Sequence, residues 1–194
     1  MAVTSSFYTA DELQDLGFKS IGNDVRVSRK ASFYGSDQME LGSHVRIDDF
    51  CYLSGRFVIG NYVHIAVGCV LYGSTEGIVF EDFSGLAPRV NIHADSDDYS
   101  GNSLTNPMTG AEFKTIRRGR VTLRRHVIIG SGSVVLPGVE LGEGSSVGAM
   151  SLVVSSTPPW TINAGIPAKA LKARSQRILD LEKQFLAQQA DSEG

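Results

Sequence analysis

Between Leu123 and Val153 an aliphatic side chain returns at every sixth position: Leu123, Ile129, Val135, Leu141, Val147 and Val153. Two places before each of the last five stands a second apolar or small residue: Val127, Ser133, Val139, Ser145 and Ser151. A helix repeats its buried positions about every 3.6 residues and a strand every second one, so a strict period of six requires a short strand plus a turn as its unit. Alternation along the strand turns the aliphatic residue and the residue two before it inward, and the two residues flanking the aliphatic outward. One unit cannot bury its inner face alone, so units must stack, and the chain is an all-β solenoid.

The same frame runs upstream through Ile21, Val27 and Phe33, then Leu41, Ile47 and Leu53, then Ile59, Ile65 and Leu71, then Phe80, Leu86 and Ile92. Extra residues enter only after the third member of a group, which places every insertion at one corner of a three-sided coil. Residues 21–157 therefore read as about six coils with a first, second and third face. Before them, Thr9 and Glu12 fit a capping box and Gly17 a helix stop, so a short helix over 10–16 is expected within a cap formed by residues 1–20. Such a cap covers the exposed sheet edge of the bottom coil. After Thr157, three prolines (Pro158, Pro159, Pro167) predict that the chain leaves the solenoid as a loop. The stripe of Ile178, Leu181, Phe185 and Leu186 predicts a helix over about 169–189, so 158–194 is loop and C-terminal helix.

One segment, about 93–122, breaks the frame and projects from a corner. Its concentration of Asp95, Asp97, Asp98, Tyr99, Asn102 and Asn106 favours a functional loop over a disordered polar excursion.

These repeats, together with AGIPAKALK at 164–172, resemble the hexapeptide-repeat acyltransferases, and among them the sugar O-acetyltransferases of the galactoside and surface-polysaccharide type. The resemblance implies a left-handed parallel β-helix, although the usual rule for parallel crossovers would give the opposite hand. It further implies acetyl-CoA as co-substrate, a homotrimer with sites between subunits, and transfer to a sugar or nucleotide-sugar, with a hydroxyl favoured over an amine. Ser131 and Ala149, flanked by Gly130 and Gly148, fall where the family contacts the pantetheine arm. Pro167, Lys169 and Lys172 match its cofactor loop, the lysines as point charges for phosphates.

Acyl transfer to a hydroxyl needs a base, and histidine has the matched pKa. Of the four histidines, His44 and His126 fall at turn places and are expected to be solvated, whereas His64 and His93 point outward beside Ile65 and Ile92. The place stacked above His64 is Gly85, which leaves room beside the imidazole. The family's usual loop histidine falls, in this register, at Asp97. Three arrangements stay open: His64 as base oriented by Asp97 or Asp98, His93 as base from the loop, or an amine acceptor that needs no strong base. Asp97, Asp98, Tyr99 and Asp49 are candidates for acceptor contact. For Asp49, as for Asp82, the alternative is a solvated turn carboxylate.

A net charge of −3 and a pI near 5.8 give no support for a nucleic-acid partner. No apolar run is long enough to span a membrane and no secretory core opens the chain, so membrane insertion is not expected and a cytoplasmic setting is. Cys51 and Cys69 occupy the same inward place in consecutive coils and read as small buried hydrophobes, not a bridge. Two rival functions remain. A carbonic-anhydrase-like site would need three histidines around zinc, and the four here lack the close pair, so no metal is expected. A non-catalytic scaffold gives no reason for AGIPAK beside a small-residue channel.

Overall fold

The computed structural model describes residues 6–193. They form a left-handed parallel β-helix. On the first face Ile21, Leu41, Ile59, Phe80, Leu123 and Leu141 lie directly over one another in parallel register. Val27, Ile47, Ile65, Leu86, Ile129 and Val147 do so on the second, and Phe33, Leu53, Leu71, Ile92, Val135 and Val153 on the third. Every rung of the sequence frame is formed. All but Ile21 and Phe33, both in the bottom coil, are buried, each contributing about 1.5–3 kcal/mol of apolar burial. Tyr52–Ile59 and Val70–Phe80 run unbroken through the corner between third and first faces, which joins those faces into one sheet.

The inward serines keep their hydroxyls satisfied. Ser133 and Ser151 both donate to the Gly148 carbonyl, at 3.0 and 2.7 Å, and Ser145 accepts from Thr157 at 3.0 Å. A small polar residue is thus tolerated inside wherever the coil below or above offers a partner. The cysteines are buried and unbridged, with Cys51 Sγ directed at the Ala66 carbonyl (3.2 Å) and Cys69 Sγ at that of Ala87 (3.4 Å).

Helix α1 (Ala10–Asp15) carries the expected capping box of Thr9 and Glu12. The second helix, α2 (Arg177–Glu193), begins well after the expected 169. Residues 168–173 instead form the second strand of a hairpin whose first strand is Thr161–Gly165, so the backbone groups at the top of the second face are paired and not left open. Nor does the chain leave the solenoid after Thr157. Thr157 bridges Leu141, and Thr161–Gly165 lies parallel on Ser146–Val147, adding an incomplete seventh coil. Pro158 and Pro159 sit at the corner before that strand, where no ladder hydrogen bond is lost. Asn163 occupies the inward place and is buried, its amide donating to the Ser146 and Thr161 carbonyls. Pro167 stands in the hairpin turn after a cis peptide bond.

His126 corrects an expectation: it is buried, not solvated. His44, Tyr62, Phe83 and His126 share one corner place in successive coils, each with φ near +60°. Their rings stack at 4.5, 4.6 and 5.4 Å. Helix α2 closes over this column, setting Phe185 edge-on to Tyr62 at 5.3 Å and Glu182 2.5 Å from His126 Nε2. Arg125 also grips Glu182, and these two partners hold its carboxyl below the usual range. His44 stays half-exposed, against Asp24 at 3.2 Å. Among the described residues no helix is long and apolar enough to cross a membrane.

Coil spacing leaves no room for a side chain where backbones touch. A Cβ on Gly42 would stand 2.6 Å from the Gly60 carbonyl oxygen. Gly42→Ala is expected to cost about 1–3 kcal/mol, read as a lower urea midpoint at unchanged slope. A midpoint equal to wild type would contradict this packing.

Candidate functional site

The long insertion is not structureless. It leaves the third face as a two-stranded antiparallel ribbon in which Asp95 faces Arg118, Ser96 faces Arg117 and Asp97 faces Ile116. Cross-strand pairing puts Asp95 and Asp97 on one side with Arg118 and Ile116, and Ser96 on the other with Arg117. The ribbon thereby acts as a wall between two cavities of about 590 Å³ each. The first is lined by Tyr72, His93, Asp95, Asp97, Lys114 and Ile116. The second reaches His93, Asp98, Arg117, Val134 and Leu136. His93, Ser96, Asp97 and Tyr99 border both.

His93 occupies the outward place after Ile92, stacked on Tyr72 at 5.2 Å with the rings 18° apart. Its burial pushes the imidazole pKa below the ordinary histidine value, and the Asp95 carboxylate opposes that shift in part. A group so placed is neutral near pH 7 and able to take a proton. Asp95 and Asp97 form no ion pair and accept no side-chain hydrogen bond among the described residues.

His64 is placed differently. Its Nε2 lies 2.8 Å from Asp48 Oδ2, and Arg46 Nε donates to Asp48 Oδ1 at 2.7 Å. Burial tends to raise the Asp48 pKa, but the bonds from His64 and Arg46 outweigh it and hold the carboxyl low. The carboxylate that orients His64 is therefore Asp48, and neither Asp97 nor Asp98. His64 is half-exposed on the second face, with Gly85 above it in register as expected, and it lines neither cavity.

The remaining candidates divide. Tyr99 is 89% exposed at the rim of both cavities. Asp98 is occupied by its own turn, accepting from the Ser100 amide (2.9 Å) and hydroxyl (2.7 Å), which holds its carboxyl low. Asp49 binds Lys30 at 2.8 Å and Ser28 at 2.5 Å, and Asp82 binds the Asn61 amide at 2.7 Å; both are tied into corners. Ser131 and Ala149 lie exposed at the corner between second and third faces, the Met150 amide donating to the Ser131 carbonyl at 2.9 Å. A Cβ on Gly130 would come within 2.5 Å of the Ala149 nitrogen, and one on Gly148 within 3.0 Å of the Ala164 Cβ. The two glycines thus let these coils pack at close range. Lys169 and Lys172 are exposed on the C-terminal hairpin, opposite Ala164 and Ile162. Among the described residues no group of three or more His, Cys, Asp or Glu side chains could hold a metal ion.

Sequence reasoning missed Tyr72, Lys114 and Arg117. Tyr72 was accessible, since it holds the outward place of His93 one coil below.

No family model matches the chain. The dTDP-4-amino-4,6-dideoxy-D-glucose acyltransferase of Escherichia coli is 44% identical over 177 residues, covering 90% of this chain and 92% of that one. AntD, an N-acyltransferase from Bacillus cereus solved with dTDP and 3-hydroxybutyryl-CoA, superposes with a TM-score of 0.94 at 44% identity, over 96% of this chain and 100% of that one. A hexapeptide-repeat acetyltransferase from Vibrio cholerae, at 21% identity and a TM-score of 0.55 over 86% and 80% of the two chains, shares the fold. The chain belongs to the hexapeptide-repeat acyltransferases. It is an acyl-CoA-dependent acyltransferase that acts on a sugar.

The site's electrostatics predict an NMR titration of His93 with a midpoint below about 6.5, the ordinary histidine value. Asp95→Asn removes the one opposing charge and should lower that midpoint further. A midpoint that rises in the variant would contradict the arrangement.

Proposed function

We propose that this protein is an N-acyltransferase that moves an acyl group from acyl-CoA to the amine of a nucleotide-linked deoxyamino sugar. The expected preference for a hydroxyl finds no support, since the Escherichia coli relative is named for an amino-sugar acceptor and AntD is an N-acyltransferase. The observation that carries the reading is the first cavity, where two uncommitted carboxylates, Asp95 and Asp97, stand beside an imidazole kept neutral by burial. A hydroxyl gives two carboxylates little reason to stand unpaired, whereas an ammonium group matches both.

In the proposed reaction Asp97 and Asp95 hold the sugar ammonium and His93 removes one proton. The freed lone pair attacks the thioester carbonyl, so a C–N bond forms as the carbonyl π electrons move to oxygen. Collapse breaks the C–S bond, the amide nitrogen loses its second proton, and coenzyme A departs as the thiol. The donor lies along the channel at Gly130, Ser131, Gly148 and Ala149, with Pro167 shaping the hairpin that carries Lys169 and Lys172 to its phosphates. A homotrimer with sites between subunits would bring that corner to the loop cavities of a neighbour, and a cytoplasmic setting supplies acyl-CoA. The Asp48–His64 pair supports a second reading of the base, because a carboxylate fixes its ring at 2.8 Å.

Thiol release from acyl-CoA should require an amine on the acceptor, tested with dTDP-4-amino-4,6-dideoxyglucose against the 4-hydroxy sugar. His93→Ala should lower kcat about 10²–10⁴-fold. A fall of that size in His64→Ala and not in His93→Ala would move the base to the Asp48–His64 pair.

A further inference from the structure

The first cavity contains a cation that the reaction does not use. Lys114 lines it, half-buried, and among the described residues forms no ion pair, although Asp95 and Asp97 line the same space. A lysine and two carboxylates that share a cavity without pairing keep opposite charges available at separate places, which suits a ligand carrying both signs.

The ribbon fixes how far apart those places are. Asp97 faces Ile116, and Lys114, itself extended in backbone, stands two residues before Ile116 and lines the same cavity. Two residues of extended chain span about 7 Å. That is the distance across one pyranose ring from a substituent on C4 to a phosphate on the anomeric carbon. With the amine at Asp97, the anomeric phosphate reaches the level of Lys114. Among the described residues no other lysine and no arginine lines this cavity, and Arg117 faces the other side of the ribbon. Tyr72 and Tyr99 add aromatic surface at its border.

We infer that Lys114 anchors the diphosphate linker of the acceptor and so selects nucleotide-linked over free amino sugars. The inference rests on the reading of the acceptor given above. An ammonium on a flexible stem suits a phosphate as a point charge, and Lys114→Arg should preserve the charge where Lys114→Ala removes it.

Calorimetric titration with dTDP alone separates this inference from the reading beneath it, because it needs no turnover. The dTDP Kd should weaken tenfold or more in Lys114→Ala and recover most of that loss in Lys114→Arg. Equal affinity in all three proteins would overturn the anchor, even if amino-sugar acylation proceeds. Lys114-dependent dTDP binding without acyl transfer to any amino sugar would leave the anchor standing and sink the N-acyltransferase reading. In active protein, kcat/KM for the nucleotide-linked sugar relative to the free sugar should fall by the same tenfold in Lys114→Ala, and an unchanged ratio would count against the anchor.

Discussion

Stacking of like upon like at a coil spacing of about 4.8 Å is the constraint from which this structure follows. Each inward place must be filled by a side chain that fits above its equivalent in the coil below, and each corner must turn within a few residues. The aliphatic ladders satisfy the first condition, and left-handed residues such as Tyr62 and Phe83 satisfy the second. Because the inner places are committed to packing, chemistry can reside only on outward places, at corners, or in insertions. His93, Ser131 and the loop ribbon are one example of each.

The insertion joins an outward place of the rigid solenoid to a polar ribbon. His93 is held by Ile92 packed beneath it and by Tyr72 stacked below, so its ring is positioned before any ligand arrives. The ribbon supplies what flat coil faces lack, namely concave space with carboxylates on one wall. Neutral imidazole and unpaired carboxylates in one cavity form a site able to hold an ammonium group and then deprotonate it. Elsewhere ionic groups are spent on structure: Glu182 is shared by Arg125 and His126 under α2, and Asp82 is tied to Arg125 at 3.1 Å.

Much of the fold was legible because period six fixes register as well as element type. All three ladders follow from counting. The seventh coil was hidden because Asn163 stands where an aliphatic belongs and two prolines precede it. Its amide is tolerated inside only because Ser146 and Thr161 offer carbonyls, a condition a period cannot reveal. Burial of His126 depends on a helix 56 residues away in sequence, and nothing local announces it. The site was legible in part: His93, Asp97 and Tyr99 were singled out and meet at the cavities, whereas His64 found its carboxylate in Asp48. That pairing arises because outward side chains on adjacent coils lean across one another. The split of the loop into a ribbon with two faces, and with it the place of Lys114, required the backbone pairing of residues 95–97 with 116–118. The choice between hydroxyl and amine is not written in the repeats at all, since their period is set by inward packing.

In the proposed reaction the acyl group ends on nitrogen. The linkage in the product made from acyl-CoA and a nucleotide-linked amino sugar, read by mass spectrometry before and after mild alkali, tests this. Transfer to nitrogen gives an amide, with the acyl mass retained through a treatment that hydrolyses esters. Loss of the acyl group under that treatment would identify an ester and rule out transfer to the amine.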